Sequence, residues 1–492
     1  MFYPDFKEFK RKARKGNLIP VYKEIYADME TPVSAFCKID DGVFSFLLES
    51  VEGGEKWARY SFLGSSPSMI FKSKGSEITI ISNKKKKRFR NEDDPLSALR
   101  DIMEGFKTVK VHGLPRFFGG AVGFIGYDFV RFFEKIPDYR SDELNLPDAY
   151  FMLTDTLLIF DNVSHKIKIV SNCYIDSGKN LGQLYRQAQR KITNLIEKLR
   201  KKNVEKTWIE QKHSTKKIAL KSNFSKKSFE NMIIKAKGYV KRGDLIQVVL
   251  SQRMKTRIKK SPFDVYRALR IVNPSPYMFY LKFDEFCMVG SSPEVLVRVE
   301  DNKVELRPIA GTRKRGETEQ EDRKLENELL SDTKERAEHI MLVDLGRNDL
   351  GRIAKTGSVE VNELMVVERY SHVMHIVSNI RGILDDGKNA FDVIRACFPA
   401  GTVTGAPKVR AMEIIEELEP TKRGPYAGAV GYFSFTGNMD TCITIRTLYF
   451  KNNEVYIQAG AGIVFDSKPE LEYKETINKA KAMVKALELA NG

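Results

Sequence analysis

Two pairs of glutamates have a spacing that lets carboxylates share a metal ion. Glu335 and Glu338 lie in SDTKERAEHIMLVDLGRNDLGR, and Glu472 and Glu475 lie in DSKPELEYKETINKAKAMVKAL. Residues three apart on a helix occupy one face, and two such faces together could supply the oxygen ligands that Mg²⁺ prefers. Because the same spacing is common on solvated helices, spacing alone leaves both interpretations open.

Neighbouring segments favour a ligand-binding role for these glutamates. The residues after Glu338, HIMLVDL, are mostly apolar, which indicates a largely buried helix, and a buried carboxylate needs a partner. The strand-like VYIQAGAGIV carries Gly460 and Gly462, which let backbone N–H groups approach an anion. The loop FPAGTVTGAPKVRAM opens a helix near Pro407, where free amides favour a carboxylate or phosphate.

Two histidines offer groups for acid–base chemistry. His372 and His375 lie three apart in RYSHVMHIVSN. A zinc pair is one interpretation, but no third ligand is evident and the segment alternates like a strand. An acid–base histidine or a hydrogen-bonded structural one fits each position better.

The elements that must position these groups divide the chain into two segments. Short strand-like runs fill residues 1 to about 175, and an amphipathic helix follows before the polar stretch 203–222. We therefore predict an N-terminal domain over residues 1–205 and a catalytic domain over residues 222–492. In the second segment the patterns predict helices over 316–348, 388–397, 407–418 and 469–490, and strands near 428–435, 440–450 and 454–465.

Composition limits the classes of function. No run of about twenty apolar residues appears, so we expect no transmembrane helix and no membrane partner. Five scattered cysteines without a CxxC pair predict reduced thiols and a cytoplasmic location. The net charge of +17 raises a rival interpretation of another class, a basic nucleic-acid-binding protein. Since much of this charge lies in polar Lys-rich loops and no nucleic-acid-binding signature accompanies it, we predict no nucleic-acid partner.

Residues 224–480 resemble the chorismate-utilising enzymes, and among them the anthranilate synthase component I family. The segments that carry the resemblance follow in family order: IQVVLSQR, GSSPE, RPIAGTRKRG, ERAEHIMLVDLGRNDLGRI, SHVMHIVS, FPAGTVTGAPKVRAME, RGPYAGAVGY, QAGAGIV and PELEYKET. The resemblance implies an α+β fold with two large antiparallel β-sheets packed as a sandwich, flanking helices, and two subdomains with a cleft between them.

The resemblance also implies a reaction, which would be the first committed step of tryptophan biosynthesis. In it, ammonia attacks chorismate at ring position C2 with loss of the C4 hydroxyl, in a Mg²⁺-dependent step. The intermediate, aminodeoxyisochorismate, then loses pyruvate and becomes anthranilate.

The site residues implied by the resemblance fall into three groups. The metal ligands would be Glu335, Glu338, Glu472 and Glu475. The catalytic residues would be Glu294 as general acid, His375 in proton movement, and Thr402. The substrate-binding residues would be Ala310, Gly311, Thr312, Thr402, Tyr426, Arg446, Gly460, Ala461, Gly462 and Lys479.

Two positions guide the choice within the family. Isochorismate and salicylate synthases use a general-base lysine where this chain has Gln247, which cannot take a proton at neutral pH. Aminodeoxychorismate synthase carries a nucleophilic lysine in a PIKGT segment, and this chain has Ala310 there. Both differences favour direct attack by ammonia. The alternative within the family is aminodeoxychorismate synthase component I.

The resemblance extends to regulation and partners. The segments LLES (47–50) and NPSPYM (273–278) are similar to those that bind tryptophan as a feedback inhibitor. The implied inhibitor site comprises Ser50, Pro276, Tyr277 and Met278. No glutaminase segment is present, so we expect a separate glutamine amidotransferase subunit (anthranilate synthase component II) to supply ammonia, in a heterotetramer of two copies of each subunit.

Overall fold

The structure, a computed structural model, describes residues 1–51, 59–176, 178, 180–200, 217–370 and 373–491. Its helices are α1 (Phe6–Lys12), α2 (Pro32–Ile39), α3 (Pro95–Glu104), α4 (Leu181–Arg200), α5 (Lys226–Lys241), α6 (Pro262–Val272), α7 (Glu319–Ser331), α8 (Thr333–Gly351), α9 (Ala390–Cys397), α10 (Lys408–Leu418) and α11 (Pro469–Asn491). Short 3₁₀ helices cover Tyr127–Phe132 and Gly401–Val403.

The strands of the first segment are β1 (Leu18–Tyr26), β2 (Ser45–Glu49), β3 (Tyr60–Ser65), β4 (Met69–Lys74), β5 (Glu77–Ser82), β6 (Lys85–Arg90), β7 (Gly120–Ile125), β8 (Ala149–Thr154), β9 (Thr156–Asp161) and β10 (Lys166–Tyr174). Those of the second are β11 (Lys221–Ser222), β12 (Gln247–Arg257), β13 (Tyr277–Lys282), β14 (Cys287–Ser292), β15 (Val295–Glu300), β16 (Lys303–Leu306), β17 (Ile309–Lys314), β18 (Glu360–Arg369), β19 (Val373–Ile383), β20 (Gly405–Ala406), β21 (Ala429–Ser434), β22 (Met439–Ile443), β23 (Thr447–Lys451) and β24 (Glu454–Ile463).

These strands form two large antiparallel sheets. Sheet A has the order β1-β10-β9-β3-β2-β13-β14-β23-β24-β12-β11, and β20 also pairs with β12. Sheet B has the order β17-β19-β16-β15-β22-β21-β7-β8-β4-β5-β6, and β18 also pairs with β19. The predicted α+β fold with two antiparallel sheets and flanking helices is therefore confirmed.

Strands from both predicted segments take part in each sheet. In sheet A, β2 pairs with β13, and in sheet B, β7 pairs with β21. The division into residues 1–205 and 222–492 stays a prediction, and residues 201–216 beside its boundary lie outside the described residues.

Aromatic side chains fill much of the space between the sheets. Phe62 of sheet A meets the edge of Phe117 with ring centroids 5.1 Å apart, and Phe117 stacks on Tyr432 of sheet B at 4.1 Å. Each fully buried side chain of this kind contributes about 1.5–3 kcal/mol through the hydrophobic effect. This core holds the two sheets against each other.

One predicted helix is divided in the structure. The segment 316–348 forms α7 and α8 rather than one helix, with the break at Asp332. The Asp332 carboxylate accepts hydrogen bonds from the backbone N–H groups of Lys334 and Glu335, at 3.0 and 3.2 Å. These bonds occupy backbone N–H groups that a continuous helix would pair with its own carbonyls, so α7 ends and α8 begins at this residue. As a result, Glu335 lies in the first turn of α8.

One predicted strand is also divided. The segment 440–450 forms β22 in sheet B and β23 in sheet A, because the chain turns between them at Arg446, which has a φ of +51°. A second crossing links β14 of sheet A to β15 of sheet B and contains Glu294. Backbone hydrogen bonds join the two crossings, from Ile443 N to Glu294 O at 3.0 Å and from Ser291 N to Arg446 O at 3.1 Å.

Other sequence predictions agree with the structure. Helices α9, α10 and α11 match the predicted 388–397, 407–418 and 469–490 within a few residues. All five cysteines are free thiols. Within the described ranges, the helices are too short or too polar to cross a membrane. The cytoplasmic location stays a prediction.

Candidate active site

A cavity of about 660 Å³ lies between elements of the two sheets. Its lining residues come from strands β12 and β24 of sheet A, strands β17 and β19 of sheet B, and helices α8 and α11. Both sheet crossings reach its wall, because Glu294 and Arg446 are among the lining residues. The fold therefore gathers groups from distant parts of the sequence around one space.

The four glutamates predicted as metal ligands all line this cavity. Burial raises the pKa of Glu338, and the neighbouring charges of Glu335 and Glu475 raise it further. Burial likewise raises the pKa of Glu472, again with repulsion from Glu475. The two pairs thus come from α8 and α11 and lie close enough to repel one another.

Cations already neutralise two of these carboxylates. Arg313 lies 3.4 Å from Glu335, and Lys479 lies 2.7 Å from Glu475. Across the described part of the chain, no three His, Cys, Asp or Glu side chains are grouped tightly enough to hold a metal ion. The glutamates therefore share a cavity without forming a completed coordination sphere.

Glu294 is a buried carboxyl in the wall of the cavity. Burial raises the pKa of Glu294 to about 8, although the Thr402 hydroxyl and the Ile309 amide favour its charged form. The carboxyl is therefore protonated at neutral pH, which is the state that a general acid needs.

His375 faces the cavity from β19. Its Nδ1 lies 3.0 Å from both the Gly311 carbonyl oxygen and Thr312 Oγ1. A carbonyl oxygen only accepts, so Nδ1 carries the proton and Nε2 is left with a free lone pair. Burial lowers the pKa of His375, so the ring is neutral at pH 7 and Nε2 can accept a proton.

The segment Ala310-Gly311-Thr312 forms a bulge at the cavity wall. The pairing of β17 with β19 shifts between Ala310 and Thr312, and Gly311 adopts a φ of +64°. A Cβ atom at Gly311 would lie 3.3 Å from Glu335 Oε2. The bulge turns the Gly311 carbonyl towards His375 and requires a residue that tolerates the left-handed conformation.

A positive wall lies elsewhere in the cavity. In the described ranges, no carboxylate lies within ion-pair distance of Arg446, and burial lowers the pKa of its guanidinium without removing its charge at neutral pH. Burial raises the pKa of Tyr426 to about 12, so its hydroxyl keeps its proton. A Cβ atom at Gly460 would lie 2.7 Å from the Tyr426 hydroxyl. This close approach needs glycine.

A second, smaller pocket of about 70 Å³ contains the four residues predicted to bind an inhibitor, Ser50, Pro276, Tyr277 and Met278. Pro276 also lines the large cavity, so the two spaces share a wall. The Tyr277 hydroxyl donates to Asp440 Oδ1 at 2.8 Å, and Arg298 and Arg116 bind the other oxygen of Asp440 at 3.1 and 2.8 Å.

Comparison with protein families decides the broader assignment of this site. The model of the chorismate binding enzymes matches residues 45–485, which is most of the chain and includes every residue predicted for the site. The chain belongs to the chorismate-binding enzyme family.

Close relatives within the chorismate-binding enzymes cover the whole chain. It is 50% identical to "Anthranilate synthase component 1" of Acetivibrio thermocellus over 100% of this chain and 99% of the relative. It is 50% identical to the protein of the same name from Aquifex aeolicus over 98% of this chain and 97% of the relative. The crystal structure of anthranilate synthase component I from Streptococcus pneumoniae TIGR4 superposes with a TM-score of 0.76 at 38% identity, covering 94% of this chain and 99% of that one.

The chorismate-binding fold brings together nearly all of the residues predicted from the sequence. Besides the glutamates, Glu294 and His375, it places Ala310, Gly311, Thr312, Thr402, Tyr426, Arg446, Gly460, Gly462 and Lys479 in the cavity wall. Ala461 differs, because alternate residues of a strand face opposite sides and its methyl group packs in the hydrophobic core. His372 lies outside the described residues.

The sequence prediction missed several polar residues of the cavity. Tyr370 contacts the His375 ring edge-on with centroids 5.6 Å apart, and Lys334 favours the charged forms of Glu338 and Glu472. Gln458 also lines the cavity. The period-2 alternation of VYIQAGAGIV could have identified Gln458, which shares a strand face with Gly460 and Gly462. No local signal marked Tyr370 or Lys334.

Proposed function

We propose that this protein is the large subunit of an anthranilate synthase, which converts chorismate and ammonia into anthranilate and pyruvate. The observation that carries the proposal is the composition of one cavity. It combines four carboxylates, a protonated Glu294, a neutral His375 and the charged guanidinium of Arg446. Chorismate carries two carboxylates and a departing hydroxyl, and these groups need a cation, a positive wall and an acid.

The chemistry of the donor set fits Mg²⁺. Repulsion among Glu335, Glu338 and Glu475 contributes to the raised pKa of Glu338, and a divalent cation would relieve that repulsion. We propose that Glu335, Glu338, Glu472 and Glu475 would hold the ion. When bound, it would neutralise the ring carboxylate and withdraw electron density from the ring. Arg313 and Lys479, which pair with two of these glutamates, would then be released.

The second carboxylate of chorismate, on the enolpyruvyl group, would be held by the positive wall. Arg446 would form a charge-assisted pair with the enolpyruvyl carboxylate, and the Tyr426 hydroxyl would donate a second hydrogen bond. Backbone N–H groups at Gly460 and Gly462, together with Thr402 and Lys479, would complete this anion site. No carboxylate in the described ranges lies within ion-pair distance of Arg446, although Glu475 is near enough to favour its charge, and this supports the assignment because the guanidinium would find its direct partner in the substrate.

Glu294 and His375 would move the protons. The ammonia nitrogen forms a bond to C2, both ring double bonds shift by one position, and the C4–O bond breaks as Glu294 gives its proton, so the hydroxyl leaves as water. The ammonium group formed at C2 gives a proton to water, which leaves the neutral amine. In the second step His375 Nε2 would take a ring proton as the bond between the ring and the enolpyruvyl oxygen breaks. The enolate that leaves would take up a proton from water at its methylene carbon and become pyruvate. Aromatisation of the ring drives this elimination.

The nucleophile would be ammonia itself. Ala310 provides no amine for a covalent intermediate, and Gln247 provides no base to activate water. Gln247 instead points its amide N–H towards Glu338 Oε1 at 3.4 Å, which is a long contact. Both residues line the cavity, which supports the choice of ammonia over water or lysine.

Product identification tests this proposal directly. Purified protein with chorismate, Mg²⁺ and an ammonium salt should produce fluorescent anthranilate and equimolar pyruvate. Aminodeoxychorismate or isochorismate as the accumulated product would overturn the choice within the family. Salt-dependent binding to duplex DNA or RNA without turnover would favour the rival of another class.

We further propose that the small pocket binds L-tryptophan as a feedback inhibitor and that glutamine is used only with a separate amidotransferase subunit in the cytoplasm. Ser50, Pro276, Tyr277 and Met278 lie together in that pocket, which supports the first part. The name component 1 of the relatives supports the second. Isothermal titration with tryptophan tests the pocket, and an absence of heat in an active preparation would overturn it.

A further inference from the structure

A buried ion pair lies directly behind the cavity. Glu419 follows the end of α10, and Arg423 lies four residues later with its Nη2 at 2.6 Å from Glu419 Oε1. Their side chains are only 3% and 1% exposed. Burying two charges is costly, and apolar residues of similar size often replace such pairs without loss of stability. The mutual attraction of the two charges therefore does not by itself explain why they are buried here.

The reason lies at the outer edge of β12. This strand pairs with β20 at Gln247 and Val248 and with β11 at Met254 and Lys255. Between these two short strands, the edge of β12 has no neighbouring strand in the described part of the chain. An unpaired buried N–H or C=O group costs about 1–3 kcal/mol.

Glu419 and Arg423 supply the missing hydrogen bonds. Glu419 Oε1 accepts from the Ser251 backbone N–H at 2.8 Å, and Arg423 Nη2 donates to the Val249 carbonyl at 2.7 Å. A carboxylate thus replaces a strand carbonyl and a guanidinium replaces a strand N–H group. Replacing the pair with apolar residues would leave both backbone groups of β12 without partners.

The same pair contacts three parts of the cavity wall. Arg423 Nη1 donates to the Val403 carbonyl at 2.8 Å, next to Thr402, and its guanidinium lies 5.5 Å from the ring centroid of Tyr426. Glu419 accepts from Ser251 Oγ at 2.9 Å, and that hydroxyl accepts from Gln458 Nε2 at 2.9 Å. Because the Ser251 hydrogen is committed to Glu419, the Gln458 amide is held in one orientation.

We propose that Glu419 and Arg423 are positioning residues of the active site, which replace a strand beside β12 and thereby fix Thr402, Tyr426 and Gln458 against the substrate. This inference rests on the proposed function for its kinetic consequences. Neither residue lines the cavity, so both act through others.

The test compares E419Q/R423M with R131M. Arg131 forms a largely buried pair with Glu416 of α10, and its other contacts are Asp128 and the Pro137 carbonyl rather than residues of the cavity wall. We expect E419Q/R423M to lower kcat about 100-fold and to raise the KM for chorismate, with the KM for ammonium unchanged. R131M should lose stability without changing either KM. Wild-type kcat and KM in the double variant would overturn the proposal.

A second readout does not depend on turnover. Hydrogen exchange of a peptide covering residues 247–253 should be faster in E419Q/R423M than in the wild type or R131M, because the Ser251 N–H keeps only a neutral amide oxygen as its acceptor and the Val249 carbonyl loses its donor. Unchanged exchange would overturn the proposal whether or not the wild type forms anthranilate. A wild type that forms no anthranilate would count only against the proposed function. If the double variant does not fold, the same two measurements are made on R423K. Hydrogen exchange and a KM for chorismate that both equal those of the wild type would overturn the proposal.

Discussion

Glu294 is held in its protonated form at neutral pH by the surroundings that the fold gives it. The residue leaves sheet A at a crossing, its carboxyl is buried, and burial raises its pKa to about 8 from an ordinary value of 4.5. An acid with this pKa is effective up to mildly alkaline pH. We therefore expect kcat to fall as pH rises through about 8.

A stability measurement tests the same residue without turnover. Unfolded Glu294 loses its proton near pH 4.5, whereas the folded protein keeps it to about pH 8, so folding costs free energy that grows across this window. The variant E294Q avoids this cost, which is worth about 2 to 4 kcal/mol at pH 8.

We expect E294Q to be inactive, equal to the wild type in stability near pH 4.5, and more stable above pH 6. Thermal melts in metal-free buffer would show this as a growing difference in Tm. E285Q, at an exposed glutamate, is the control and should show no such trend. A Tm difference that is constant across the pH range would contradict the assignment.

Glu475 provides a test of the proposed metal ligands. The variant E475Q removes one charge from the cavity and should raise the Mg²⁺ concentration for half-maximal activity by at least about 10-fold. E470Q changes a glutamate of the same helix that pairs with Lys226 near the surface, and should leave the Mg²⁺ dependence unaltered. Equal Mg²⁺ titration curves for E475Q and the wild type would remove Glu475 from the ligand set.

At the scale of elements, the bulge in β17 links the strand to the catalytic groups. The variant G311A places a methyl group in a left-handed conformation, which costs about 1–2 kcal/mol, and directs it at Leu329 and Glu335. We expect a lower Tm and reduced kcat, because His375 loses its fixed acceptor. G351A adds a methyl group into open space at the end of α8 and serves as the control. Equal kcat and Tm values for G311A and G351A would show that the bulge has no such role.

The elements also show where sequence patterns reach their limit. Periodicity predicted α9, α10 and α11 because each buries one face, and motif order predicted which residues meet in the cavity. Periodicity did not reveal the division at Asp332, because the helical pattern of apolar residues continues through it. The break depends on the hydrogen bonds of one carboxylate, which start α8. It also missed the turn at Arg446, because β22 and β23 are both buried strands and only the tertiary fold assigns them to different sheets.

Some site residues are equally invisible in the sequence. Glu419 and Arg423 read as an ordinary helix-terminal ion pair four residues apart, and only the missing strand beside β12 gives them a role. Tyr370 lies just after β18, and it reaches the cavity because the next strand, β19, pairs with the distant strand β17. Partners set by tertiary contacts of this kind have no local pattern.

At the scale of the whole molecule, two pockets share Pro276. The proposed tryptophan pocket is much smaller than the large cavity, so a larger side chain within it should exclude a ligand. We expect S50L to bind tryptophan at least about 100-fold more weakly and to retain anthranilate formation, because Ser50 does not line the large cavity. E475Q is the reciprocal control, expected to need more Mg²⁺ for turnover and to keep the heat of tryptophan binding. S50L with full inhibition by tryptophan would place the inhibitor elsewhere.

The pairing of β2 with β13 and of β7 with β21 also bears on how the chain is made. On the ribosome, β7 emerges long before β21, and at about 5–20 residues per second the delay is on the order of tens of seconds. During that time the nascent chain carries apolar strands whose partners have not been synthesised. We therefore expect the growing polypeptide to depend on chaperones that cover open strand edges, and a released N-terminal fragment to aggregate.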